Sequence, residues 1–285
     1  MRFGLCVNLS KSQAQSVAAE IAEWLMSQGV ELWCEPLISP LLPAGVRISD
    51  RGQWAGQVDL AIVLGGDGTL LSAARSFAPL NVPLFGVNLG RLGFLTQAEA
   101  NGWREALGMV LGGLYSIEDR LMLAVTVGDY QPEQTPQVAL NDVVINQHDI
   151  ARMAHIEVSI DGVYLDTYAA DGMIIASPTG STAYSLSAGG PIVSPRARNI
   201  VVTPICAHAL HARPLILAPD EEVALRVVGT NQGAAMTIDG QEVFRLPPGE
   251  TVRVRRSTYV TRLIRLNRRP FYEILRKKMK EGQLN

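Results

Sequence analysis

Gly65-Gly66-Asp67-Gly68-Thr69 stands directly after an apolar run, Val58 to Leu64, and directly before a segment that reads as a helix from Thr69 to Ala78. Glycines in such a position let backbone N–H groups converge on an anion without Cβ obstruction. The helix N-terminus adds partial positive charge at the same point. Gly65, Gly66, Gly68 and Thr69 are therefore the expected phosphate contacts. Asp67 fits no phosphate cradle on charge alone. A carboxylate there makes sense if it takes a proton from an attacking hydroxyl or holds a metal. On this stretch alone, a plain helix cap stays open as the alternative.

Three further clusters have chemical content. Asn88 to Leu95 follows an apolar run from Val82 to Val87 and contains Arg91, a side chain suited to phosphate. Asn141 and Asp142 interrupt the β-like run Val138 to Ile145, which sets one polar residue on each face of a strand. An unpartnered polar group buried there costs about 1–3 kcal/mol. Asp171 to Pro191 runs from an apolar stretch into a turn holding Thr179, Ser181, Thr182, Tyr184, Ser185 and Ser187. That density of hydroxyls suits a ribose and base edges. His208 and His211 have the spacing of a metal pair on a helix, but no third ligand lies near them in sequence. The chain contains no Walker A, GxGxxG or GxSxG sequence.

The elements that must position these residues fall into two textures. Residues 2–8, 30–34, 58–64 and 82–87 read as strands, with helices over Ser12–Gln28, Thr69–Ala78 and Trp103–Leu111. Strands alternating with helices predict an open α/β domain. Beyond residues 115–120 short alternating strands dominate: 121–127, 138–145, 155–160, 163–168, 173–177, 222–228, 234–238, 251–255 and 259–266. Asp161-Gly162 and Asp239-Gly240 read as hairpin turns, 182–187 as a short helix, and Phe271 to Lys280 as a final helix. The predicted division is 1–118 for the α/β domain and 119–267 for a β-rich domain, followed by 268–285.

With 285 residues, 47% of them hydrophobic and 18% charged, the chain is long enough to bury a core without staples. Cys6, Cys34 and Cys206 are too few and too scattered for a disulfide scaffold, which predicts a reducing compartment such as the cytoplasm. No apolar run reaches the length of a membrane span, so no membrane partner is expected. Charge is uneven: residues 251–285 hold 11 of the 25 Lys and Arg but 2 of the 27 Asp and Glu. In that region Arg alternates with aliphatics, as in Val252-Arg253-Val254-Arg255, which reads as strand faces and not as a nucleic-acid arm.

In their order and spacing, the clusters at Gly65–Thr69, Gly90–Leu95, Asn141-Asp142 and Asp171–Pro191 resemble the NAD kinase family over residues 1–270. The Gly65–Thr69 motif is also similar to one in lipid kinases of the diacylglycerol and sphingosine type. Thr179–Pro191 is the stretch specific to NAD kinases. The resemblance implies phosphorylation of the 2′-hydroxyl of the adenosine ribose of NAD by ATP, with Mg²⁺ carried on the triphosphate. It implies an α/β domain, a β-sandwich-like domain with the site between them, a C-terminal tail, 268–285, that packs back onto the first domain, and a homodimer or homotetramer. By position, Asp67 matches the proton acceptor and Gly68 its neighbour at the diphosphate. Asn141 and Asp142 match a pair on the adenosine and the nicotinamide ribose, and Asp171 a carboxylate near the nicotinamide. Thr182, Ala183, Tyr184, Ser185, Leu186 and Ser187 match the NAD-binding turn; Arg152 and Gln241 match further ligand-lining positions. Two positions depart. Ser72 stands where many members carry a basic residue, which leaves a phosphate contact either missing or supplied by Arg75. Ala169 stands where many Gram-negative members carry arginine, and with Asp171 nearby this favours the oxidised dinucleotide. Two other readings share the scaffold: a lipid kinase, and a nucleotide sensor without catalysis.

Overall fold

A computed structural model describes residues 1–90, 93–128, 136–147, 154–208, 212–229, 233–266 and 271–280. It divides into two compact units, one of residues 1–119 with the described residues from 260 onward, the other of residues 120–259. Among the described residues no helix is long and apolar enough to cross a membrane.

In the first unit β1 (Arg2–Val7), α1 (Ala14–Ser27), β2 (Glu31–Cys34), β3 (Arg47–Ile48), β4 (Leu60–Gly65), α2 (Asp67–Phe77), β5 (Leu84–Asn88), β6 (Ala98–Glu99) and α3 (Trp103–Leu111) follow in turn. The strands pair in parallel in the order β3-β2-β1-β4-β5, with β6 beside β5. All of β4 is buried, which is why its sequence is an unbroken apolar run. Helix α1 buries Ala14, Val17, Ala18, Ile21, Ala22 and Leu25, one face at helical spacing. Gly29, at φ +75°, ends it in a conformation that side-chain-bearing residues resist.

The second unit comprises most of β7 (Ser116–Val127), then β8 (Gln137–Ala139), β9 (Asp142–Gln147), β10 (Ala154–Ile160), β11 (Val163–Ala170), β12 (Gly172–Ala176), α4 (Tyr184–Ser187), β13 (Ile200–Ile205), β14 (Leu215–Leu217), β15 (Val223–Val228), β16 (Ala234–Ile238), β17 (Glu242–Leu246) and the start of β18 (Thr251–Arg265). Strands β14-β13-β12-β9-β16-β17 form an antiparallel sheet. It packs by Val143, Ile145, Met173, Ile175 and Met236 against Ile156, Val158, Leu225, Val252 and Val254 of the β11-β10-β15-β18 strands, giving the expected sandwich. The alternate residues Val144, Ile174, Ala176 and Val201 bury the outer face under Val193. Strands β9, β12 and β13 are thus apolar on both sides. The last helix is α5 (Phe271–Lys280).

Several sequence expectations need correcting. The run 138–145 is two strands, β8 and β9, broken at residues 140–141. Strand β18 runs unbroken across 256–258, where a gap was expected, because no Gly, Pro or Asn interrupts it. Helix α2 begins at Asp67, not Thr69. Strands β13, β14 and β17 were not foreseen.

Candidate active site

In the first unit the strand order reverses between β1 and β4, and ligands of open α/β sheets bind beyond the carboxyl ends of the strands at such a point. Gly65 ends β4 there, and Gly66 is the residue preceding α2. A Cβ on Gly65 would come within 2.2 Å of Thr69 Oγ1, so only glycine lets the helix start this close to its strand. From the end of β1, Asn8 donates its side-chain amide to Thr69 Oγ1 at 2.9 Å, and its own oxygen accepts from the Ser10 N–H at 3.1 Å. Asn8 escaped the sequence reading. Its signal is positional: it follows β1 as Gly65 ends β4. Arg75 lies in the last turn of α2, one helical turn beyond Ser72.

The Asp67 carboxylate does not cap its own helix. It accepts the Phe94 N–H at 2.7 Å and the Leu95 N–H at 3.1 Å. Gly93 makes this possible, since a Cβ there would fall 1.9 Å from Asp67 Oδ1. The loop is itself braced: Gly90 N–H donates to Asn88 Oδ1 at 2.7 Å, and Leu89 N–H to Gly65 O at 2.8 Å. Phe94 is gripped from outside by the Phe271 ring at 5.8 Å, with the Lys278 ammonium 5.1 Å from its own ring centroid. Arg265, whose guanidinium donates to Phe94 O at 3.5 Å, has its pKa lowered by burial, with the Glu118 and Asp67 charges acting in opposition. A carboxylate held by two amides at the mouth of a glycine cradle, with a buried cation near, is oriented to accept one proton from a hydroxyl presented to it.

In the second unit the Asn141-Asp142 corner joins β8 to β9. Asn141 is at the bend and half-buried, and Asp142 opens β9 at 4% exposure. Asp142 lies on the sheet face shared with Val144, paired with Ala176. Burial, reinforced by the Asp239 charge, pushes its carboxyl up to about 7. Asp239 carries the corner: its carboxylate accepts the N–H groups of Leu140, Asn141 and Asp142 at 3.1, 2.7 and 3.2 Å. The sequence marked Asp239 only as a turn residue, and its φ of +51° agrees with that. Gly180 approaches the same corner so closely that a Cβ would sit 2.0 Å from Asn141 O.

The hydroxyl-rich turn spends much of its hydrogen bonding on itself. Ser181 Oγ donates to Pro178 O at 2.8 Å and accepts Val193 N–H at 3.0 Å. Thr182 Oγ1 donates to Thr179 O at 3.3 Å, and fully buried Ser185 shares a 2.9 Å hydroxyl bond with Thr203. Arg120, buried, donates to Thr179 Oγ1 at 3.2 Å. What the turn presents outward is Tyr184, 43% exposed, with Ser187 exposed and Ala183 and Leu186 half-buried. Asp171 is exposed at the start of β12, and Gln241 is exposed in the β16–β17 hairpin. Arg91, Arg152 and His211 lie outside the described residues. Among the described residues no group of three or more His, Cys, Asp or Glu is placed to hold a metal.

Two family profiles match the chain: the ATP-NAD kinase N-terminal domain over residues 3–115 and the ATP-NAD kinase C-terminal domain over residues 140–266. An NAD kinase of Moorella thermoacetica is 44% identical over 285 residues, covering 99% of this chain and 90% of that one. An NAD kinase of Heliobacterium modesticaldum is 45% identical over 283 residues, covering 98% and 99%. In fold, the chain is similar to yeast NADH kinase crystallised with NADH (TM-score 0.86, 23% identity, 100% of this chain and 88% of that one). It is also similar to an Archaeoglobus fulgidus NAD kinase in complex with ATP (TM-score 0.76, 23% identity, 98% and 99%).

Proposed function

The chain belongs to the NAD kinase family, and from that membership we propose how its own residues carry the reaction. It is an NAD kinase: it transfers a phosphoryl group from ATP to the 2′-hydroxyl of the adenosine ribose of NAD, giving NADP. The lipid-kinase reading rests on Gly65–Thr69 alone and leaves the match over residues 140–266 without a purpose.

Asp67 is the base. The observation that carries this is the pair of amides from Phe94 and Leu95, which fix both carboxylate oxygens and leave the group pointing from a phosphate cradle. As the bond from the 2′-oxygen to the γ-phosphorus of ATP forms and the bond from that phosphorus to the departing ADP breaks, Asp67 takes the proton of the 2′-hydroxyl, a contribution of about 10²–10⁴-fold for a general base. Gly65, Gly66, Gly68 and Thr69, with Arg91, receive the phosphates. Mg²⁺ would arrive with the ATP substrate and would supply neutralisation of phosphate charge. The transition state of such transfers is loose, so the remaining work is positioning and charge neutralisation. In the second unit Asn141, Asp142, Arg152, Asp171, Gln241 and the 182–187 turn hold the dinucleotide, with exposed Tyr184 lying against it. The same reading carries NADP supply as the role, a cytoplasmic location, and a homodimeric or homotetrameric assembly that sedimentation velocity would test.

The test is incubation with ATP, Mg²⁺ and NAD, read by an NADP-specific dehydrogenase. Asp67→Asn should keep NAD affinity within a few-fold and lower kcat by at least about 10². Turnover close to native in that variant would overturn the assignment.

A further inference from the structure

The corner at residues 140–142 is held more completely than its place between two strands requires. Asp239 accepts all three N–H groups, at 3.1, 2.7 and 3.2 Å. Its own N–H donates to Asp142 O at 2.9 Å. From the opposite side Ser177 closes the remaining carbonyls: its hydroxyl donates to Leu140 O and its N–H to Asn141 O, the latter at 2.8 Å. Every backbone polar group of the three residues is thereby engaged. The fixed partners come from residues far along the chain, 97 to 99 positions away for Asp239. Hydrogen bonds to a charged acceptor are the stronger kind, and a carboxylate with two oxygens can serve three converging donors where an amide oxygen cannot. Asp239 is 7% exposed, so water competes little for those donors.

We propose that Asp239 is a positioning residue for NAD: it sets the direction in which the Asn141 and Asp142 side chains are presented to the dinucleotide, without touching it. The inference rests on the reading that Asn141 and Asp142 contact NAD. It predicts that damage to Asp239 appears in dinucleotide binding and leaves the phosphoryl donor side alone. Residues at φ near +50° are tolerated by Asn as by Asp, so Asp239→Asn adds no backbone strain at φ +51° and removes one acceptor oxygen. Asp239→Ala removes the whole clamp.

The experiment compares Asp239→Asn, Asp239→Ala and Asn141→Ala for KM of NAD, KM of ATP, kcat, melting temperature and amide hydrogen exchange at residues 140–142. Asp239→Asn should raise KM for NAD roughly ten-fold while KM for ATP stays within about two-fold, with faster exchange at Leu140. Adding Asn141→Ala to Asp239→Asn should cost less than the two separately, since both act through one contact. If Asn141→Ala weakens NAD binding but Asp239→Asn leaves KM for NAD native, the positioning role is wrong and the site reading stands. If Asn141→Ala itself leaves KM for NAD native, the site reading falls and takes this inference with it. A fall in melting temperature and kcat with KM for NAD unchanged in Asp239→Asn would show a merely structural residue and also overturn the proposal. Should Asp239→Ala fail to fold, the Asn variant decides.

Discussion

Gly93→Ala isolates the orientation of the Asp67 carboxylate, the proposed base, from its presence. An added Cβ would lie 1.9, 2.2 and 2.3 Å from Oδ1, Cγ and Oδ2 of Asp67, where ordinary contact begins at 3.4 Å. The carboxylate must therefore retreat by about 1.5 Å, the difference between 3.4 and 1.9 Å. It cannot do so and keep its bonds of 2.7 and 3.1 Å to Phe94 and Leu95. Each hydrogen bond to a charged group is worth about 1.5–3 kcal/mol, partly recovered here because Asp67 reaches solvent. The effect on stability is thus moderate. The effect on chemistry is larger, since misplacing a reacting group by about 1 Å costs on the order of 10²-fold. Gly93 has no left-handed φ, so alanine brings only the steric clash. Gly90→Ala is the control, because its nearest neighbour, Asn88 Oδ1, would be 3.7 Å away. Assayed at saturating ATP and NAD, Gly93→Ala should lose roughly 10² in kcat while Gly90→Ala stays near native. If Gly93→Ala turns over within threefold of the native protein while Asp67→Asn does not, Asp67 acts without needing its amide clamp, and the argument from orientation fails.

Tyr184→Ala should weaken NAD binding by calorimetry with little change in melting temperature, because the ring is exposed and supports no core; a large drop in melting temperature with unchanged affinity would contradict this. Asp142 gives a pH signature. Its carboxyl is raised to about 7 in the folded state, so between about pH 4 and pH 7 the native state holds a proton that the unfolded chain has released. Stability from this group is present at low pH and lost as pH rises through that window, at up to about 1.4 kcal/mol per pH unit. The stability difference between the native protein and Asp142→Asn, from urea titrations across pH 4 to 8, should fall with pH and level off above about 7; a flat difference would remove the assignment.

Much of the local structure around the candidate site was legible because its signals are local. The Gly65–Thr69 junction declares itself by an apolar run that stops on glycines, and β4 is that run. What the sequence did not show depends on partners distant in the chain. Nothing near Ser185 indicates that its hydroxyl turns inward to Thr203. Asp239 looks like any residue opening a hairpin, and only folding brings the 140–142 amides to it. The Asn141-Asp142 pair was read as lying within one strand because β propensity says nothing about where a ladder breaks. The gap expected at 256–258 does not exist in β18, and Ser257 there is buried.

The first unit is interrupted in the chain, and that has a consequence for how the enzyme is made. Leu263 pairs with Leu84 of β5, Ile264 and Leu266 complete the core around Phe85 and Val87, and Phe271 braces the loop that holds Asp67. All of these follow residues 120–259, which form an unbroken second unit. Domains fold as units while synthesis proceeds from the N-terminus. On the ribosome, then, the second unit can finish while residues 1–119 still lack a neighbour for β5 and the aromatic support of Phe94. The unit that holds Asp67 is thus begun before the second unit and completed after it, and the loop around Asp67 stays without its Phe271 brace until α5 has left the exit tunnel.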